Sequence, residues 1–126
     1  MSTLHEAASL GDADLLEDCL MKGLDPDERD CDWGGRTPLH IASSKGDKTC
    51  VLLLLQYDAD VNVRKEDGWT PLHSACEGGH LSCVQALLSA DANCSLRDKY
   101  GDTAARVAQI YGHFDCEMAI IKKQSE

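Results

Sequence analysis

Apolar positions recur along the chain at a fixed offset of 33 residues: Ala42, Ala75 and Ala108; Leu54, Leu87 and Ile120; Leu55, Leu88 and Ile121. Gly46, Gly79 and Gly112 keep the same register, and the block Thr37-Pro38-Leu39-His40-Ile41-Ala42 returns as Thr70-Pro71-Leu72-His73-Ser74-Ala75. A degraded first copy, Leu4-His5-Glu6-Ala7 with Gly11-Asp12, aligns at an offset of 35. Such self-similarity marks supersecondary units that cannot bury their apolar face alone and must stack on neighbours. Four units fill the chain as one domain, with approximate boundaries 1–32, 33–66, 67–99 and 100–126.

Each unit reads as a helical hairpin. Thr37 and Thr70 suit a helix N-cap, and Pro38 and Pro71 suit the first helical position, where a missing N–H is harmless and φ is already set. The glycines at 46, 79 and 112 can end that helix in the left-handed conformation. A second, more apolar helix follows, over 49–57 in the second unit and 81–89 in the third. Between hairpins run segments such as 60–69 and 93–102, each with Gly two residues before the Thr (Gly35, Gly68, Gly101). The first of these connections carries two extra residues around Asp30-Cys31-Asp32 and is predicted to be longer.

The 33-residue period with Thr-Pro-Leu-His-x-Ala resembles the ankyrin repeat over nearly the whole chain, supported by Gly79-His80, Gly112-His113 and the run Ala59-Asp60-Val61-Asn62. The resemblance implies an all-α repeat solenoid of four helix-turn-helix hairpins joined by β-turn fingers. It further implies that the histidines tie one repeat to the next and that the chain binds protein without catalysis. The terminal repeats depart from the pattern. Repeat four reads Thr103-Ala104-Ala105-Arg106, and repeat one has Ser2-Thr3 in place of Thr-Pro. Both fit capping repeats, for which a polar outer side is expected.

In this family partners sit on the concave side, against the fingertips and the end of the first helix. Carried over position by position, that surface comprises Trp33, Gly34, Arg36, Ser44 and Lys45 in repeat two. Repeat three supplies Glu66, Asp67, Trp69, Glu77 and Gly78, and repeat four Lys99, Tyr100, Asp102, Ile110 and Tyr111. Four of the six aromatic residues, Trp33, Trp69, Tyr100 and Tyr111, fall on these positions. Trp and Tyr are enriched at binding hot spots because they offer large contact area with few rotors to freeze. The strip singles out Trp33, Trp69 and Tyr100; the alternative is that Trp69 and Tyr111 are merely common residues at their sites in the family, which would leave Trp33 and Tyr100 as the informative pair. The mixed charges around the strip predict a partner with apolar anchors and some basic residues, bound as an adaptor, scaffold or inhibitor binds. Asn62, in the context Leu54 to Asp60-Val61-Asn62, resembles ankyrin asparagines that are hydroxylated; the alternative is an Asn that stabilises its finger turn.

Composition narrows the choice of partner. With 43% hydrophobic and 27% charged residues the chain should fold, and its longest apolar run, Val51 to Leu55, is far short of the ~20 residues that span a bilayer. The start lacks a signal peptide's basic and apolar regions, so a cytoplasmic or nuclear chain is expected. A net charge of −10 would repel phosphate backbones and anionic lipids, which argues against nucleic acid and membrane. A monomer without cofactor or metal is expected. The odd count of seven cysteines, none in a Cys-x-x-Cys pair, reads as reduced thiols. Cys50, Cys83 and Cys116 share one register position and act as small core residues. Stacked helices ~8–10 Å apart put equivalent Cα atoms beyond the ~7 Å reach of a disulfide. Cys19 and Cys76 also read as core. Cys31, in the insertion, is predicted to be exposed, and a redox response through it is the alternative function. No Ser-His-Asp order, P-loop or dinucleotide motif stands out, and the repeat already accounts for all five histidines.

Overall fold

The computed structural model describes residues 3–126. Ser2, half of the dipeptide that replaces Thr-Pro in the first unit, lies outside the described residues. Among the described residues eight α-helices follow one another: α1 Thr3–Leu10, α2 Ala13–Met21, α3 Pro38–Lys45, α4 Lys48–Gln56, α5 Pro71–Gly78, α6 Leu81–Ser89, α7 Ala104–Ile110 and α8 Phe114–Gln124. No strand occurs among the described residues; one isolated antiparallel bridge pairs Asp30 with Arg36. The helices pair as four hairpins. Helices α1, α3, α5 and α7 stack as an inner layer, and α2, α4, α6 and α8 stack behind them as an outer one. This is the all-α repeat solenoid that the 33-residue period implies.

The local chemistry explains why helices start where they do. Thr37 and Thr70 take extended N-cap backbone, and each side chain accepts the N–H of the histidine three residues on. The histidine answers in kind: His40 Nδ1 accepts the Thr37 N–H at 3.1 Å and His73 Nδ1 the Thr70 N–H at 3.2 Å. This is a capping box with imidazole in the place of the usual carboxylate or amide. Because Nδ1 is an acceptor, the proton must sit on Nε2, and Nε2–H donates to the Trp69 carbonyl (2.8 Å) and the Asp102 carbonyl (2.9 Å) of the next finger. His5 Nε2 contacts the Arg36 carbonyl at 3.0 Å in the same way. One residue therefore caps its own helix and binds the following repeat. Thr103 still caps α7 through the Arg106 N–H, but with Arg106 in the histidine's place no onward tie is made among the described residues.

A second set of ties runs backward. His80 Nε2 donates to the Ser44 carbonyl and His113 Nε2 to the Glu77 carbonyl, both at 3.0 Å. These rings lie over Gly46 and Gly79, whose φ values of 75° and 70° end α3 and α5. A Cβ on either glycine would come within 2.5 Å of the imidazole, so conformation and space both require glycine.

Leu54, Leu87 and Ile120 are fully buried along the outer layer, Leu4, Leu39 and Leu72 along the inner one, and Cys50, Cys83 and Cys116 fill one further row. The expected polar outer side of the last hairpin is not found. Phe114, Met118 and Ile121 of α8 are exposed, together with Ile110 and Tyr111 at the end of α7. The reason is positional: Leu88 is 5% exposed because α8 packs on α6, whereas nothing among the described residues packs on its equivalent Ile121, which is 42% exposed.

Candidate partner-binding surface

The inserted residues of the first finger form a 3₁₀ turn, Cys31–Trp33, capped by the Asp30 side chain on the Asp32 N–H. The turn is closed by bonds from the Trp33 and Gly35 N–H groups to the Asp30 carbonyl at 3.1 and 2.9 Å. It lifts Trp33 into solvent at 63% exposure, with the Arg36 guanidinium 5.2 Å from the ring centroid. The next two fingers repeat the arrangement: Lys65 stands 5.4 Å over Trp69, and Lys99 stands 5.3 Å over Tyr100. Each finger thus presents an aromatic ring with a cation on one face. The fingers are held in register by the Glu66 N–H on the Gly34 carbonyl (2.8 Å) and the Lys99 N–H on the Asp67 carbonyl (2.9 Å).

The residues assigned to the concave surface do not all stand alike. Trp33, Ser44, Lys45, Glu66, Tyr100 and Tyr111 are exposed, whereas Arg36, Trp69, Glu77 and Asp102 are half-buried. Five of them, Arg36, Ser44, Lys45, Trp69 and Glu77, line one depression of about 130 Å³ between the second and third hairpins. Reading Trp69 as a free fingertip side chain is corrected by its contacts. Its indole N–H donates to Asp98 Oδ2 at 2.9 Å, its ring lies stacked 6.0 Å from His73, and it packs against the core. Trp69 is therefore part of the scaffold as well as of the surface.

Two residues that matter here are absent from the sequence reading. Lys65 pairs across its finger with Trp69, its N–H on the Trp69 carbonyl at 3.0 Å, and its ammonium reaches Asp67 at 3.5 Å. Asp98 accepts the Tyr100 and Asp102 N–H groups at 2.9 Å as well as the Trp69 indole. Burial alone would raise its carboxyl, but these donors outweigh burial and hold it below the usual carboxylate range. Both residues occupy the position that faces, across the finger, the residue before the recurring Thr; that pairing is the signal that finds them. Asn62 Oδ1 accepts the Asn93 N–H of the next finger at 2.7 Å, and its own N–H is held by Asp60.

Burial silences several titratable side chains elsewhere. Burial pushes the His40 ring down to about 4 and lowers His73, so both are neutral at pH 7. It pushes the Cys50 thiol up to about 12 and Cys116 to about 11, and raises Cys76 and Cys83. All seven cysteines are free; Cys31 alone among them is exposed, and Cys94 is half-buried with its thiol also raised. Thiol titration of the native protein with an aromatic disulfide is expected to give one fast equivalent, from Cys31, with the five buried thiols reacting only on unfolding. Several fast equivalents would contradict the core positions of Cys50, Cys83 and Cys116. Among the described residues no group of three His, Cys, Asp or Glu could hold a metal ion, and no helix is long and apolar enough to cross a membrane.

Comparison with known proteins agrees with this architecture. A family model of ankyrin repeats, in three copies, matches residues 4–98. Similar curated proteins include the potassium channel AKT1 of Arabidopsis thaliana, 62% identical over 45 residues, which cover 36% of this chain and 5% of that protein. The potassium channel AKT2/3 of the same plant is 39% identical over 67 residues, covering 53% and 8%. The potassium channel SKOR is 42% identical over 59 residues, covering 47% and 7%. The chain spans less than a tenth of the length of these relatives. With three-quarters of its length matched by the family model and histidine-tied helical hairpins in its fold, the chain belongs to the ankyrin-repeat family.

Proposed function

We propose that this chain is a non-catalytic binding module, an adaptor, scaffold or inhibitor, that holds a partner protein on the concave surface made by its fingers and inner helices. Ankyrin repeats are protein–protein interaction modules, and the family is generally non-enzymatic. The observation that carries the reading is the series of three successive fingers, each with an aromatic ring under a cation, beside the depression at the ends of α3 and α5. Trp33 and Tyr100, at 63% and 75% exposure, are large apolar side chains whose exposure the scaffold does not use. Such anchors in rigid turns are the side chains that dominate interface energies.

Affinity capture from cells tests this. Wild type should be compared with a Trp33→Ala, Tyr100→Ala double variant, leaving Trp69 intact because its loss would disturb the stack. The double variant should keep the wild-type melting temperature and lose at least about tenfold in recovered partner. A partner set that survives both substitutions unchanged would defeat the reading.

A further inference from the structure

The chain carries 12 cationic side chains against 22 carboxylates, yet the depression between the second and third hairpins is lined by three cations, Arg36, Lys45 and Lys65, and by one carboxylate, Glu77. Two of the cations are already engaged. Arg36 lies 3.7 Å from the Asp30 carboxylate and over the Trp33 ring, while Lys65 lies 3.5 Å from Asp67 and over Trp69. Lys45, exposed in the last turn of α3, has no ion-pair partner among the described residues. Its neighbours in the depression are the Ser44 and Ser74 side chains and an apolar wall formed by Trp69 and Ile41. The His40 ring, also on the wall, spends its Nε2–H on the Trp69 carbonyl.

We propose, resting on the concave-surface reading above, that this depression is a subsite for a single acidic side chain of the bound protein. The carboxylate of an Asp or Glu pairs with Lys45, and an adjoining apolar residue lies against Trp69. A half-engaged cation cluster in a partly desolvated hollow gives a carboxylate more than the same cluster on open surface, because the effective dielectric is lower. Glu77 limits the site to one negative charge, since a second would meet its carboxylate. The segment recognised is therefore an apolar peptide with one Asp or Glu, rather than an acidic run. The acidic fingertips, Glu66 among them, are left to face whatever basic residues the partner carries.

A phage-displayed random heptapeptide library, selected on immobilised wild type, tests the proposal. Enrichment of one Asp or Glu beside an apolar residue is expected. The most enriched peptide, resynthesised with Asn or Gln in place of its acid, should bind about tenfold more weakly. Lys45→Glu should weaken the acidic peptide by at least the same factor at an unchanged melting temperature, and Glu77→Gln should tighten it. No acidic enrichment, or peptide binding indifferent to Lys45→Glu, would overturn the subsite. The two levels separate cleanly: loss with Trp33→Ala, Tyr100→Ala but not with Lys45→Glu spares the surface and removes the subsite. The reverse pattern spares the subsite and removes the aromatic strip, and a library that yields no binder counts against both.

Discussion

His73→Ala is expected to lower the free energy of unfolding by about 3 kcal/mol, measured by urea denaturation at pH 7. The ring is 1% exposed and serves two repeats at once. Its Nδ1 holds the Thr70 N–H at the start of α5, and its Nε2–H holds the Asp102 carbonyl of the following finger. Removing it leaves a buried donor unsatisfied, at roughly 1–3 kcal/mol, and a partly buried acceptor at a smaller cost, and opens a void beside the Trp69 indole. His73→Gln, which can remake one of the two bonds, should lose less. His113→Ala removes one tie from a half-buried ring and should cost about 1 kcal/mol. A loss below about 1 kcal/mol for His73→Ala would show that the ring is filler rather than a joint.

Acid should weaken the stack well before its carboxylates titrate. Burial holds the His40 ring at about 4, against an ordinary value of 6.5, so between those limits the unfolded chain binds more protons than the folded one. Stability is therefore complete above pH 6.5 and falls as pH drops toward 4. The interval corresponds to roughly 3 kcal/mol for His40 alone, and His73, lowered for the same reason, adds in the same direction. The structural cause is specific. A proton on Nδ1 turns the acceptor of the Thr37 N–H into a second donor pointing at it. Urea midpoints taken from pH 7.5 to 4.5 should fall steadily, and His40→Gln should flatten the slope from an already lower starting stability. A flat profile in wild type would mean that the rings accept protons without leaving their sites.

How much of this could be read from the residues follows from how local each interaction is. The Thr37 to His40 cap and the helix ends at Gly46 and Gly79 recur at fixed positions, because caps and helix ends are decided within a few residues, and so the period exposes them. The burial of Cys50, Cys83 and Cys116 follows from the same register. Trp69 was harder: its indole bonds Asp98, 29 residues away in a neighbouring finger, and no spacing rule distinguishes that from a free fingertip. Lys65 was hidden for a related reason, since the two sides of a finger pair across a turn whose length must be known first. The apolar face of α8 went unforeseen because the terminal repeat's lost Pro, Leu and His concern α7, while exposure is decided by Phe114, Met118 and Ile121 on the helix behind it.

Whether a partner lies across the fingers and inner helices is decided by hydrogen exchange of the chain with a captured partner bound. Protection is expected at the finger amides of 33–36, 66–69 and 99–102 and at the ends of α3 and α5, with α2, α4 and α6 exchanging as in the free chain. Protection confined to the outer helices, with the fingers unchanged, would rule out a partner on the concave side.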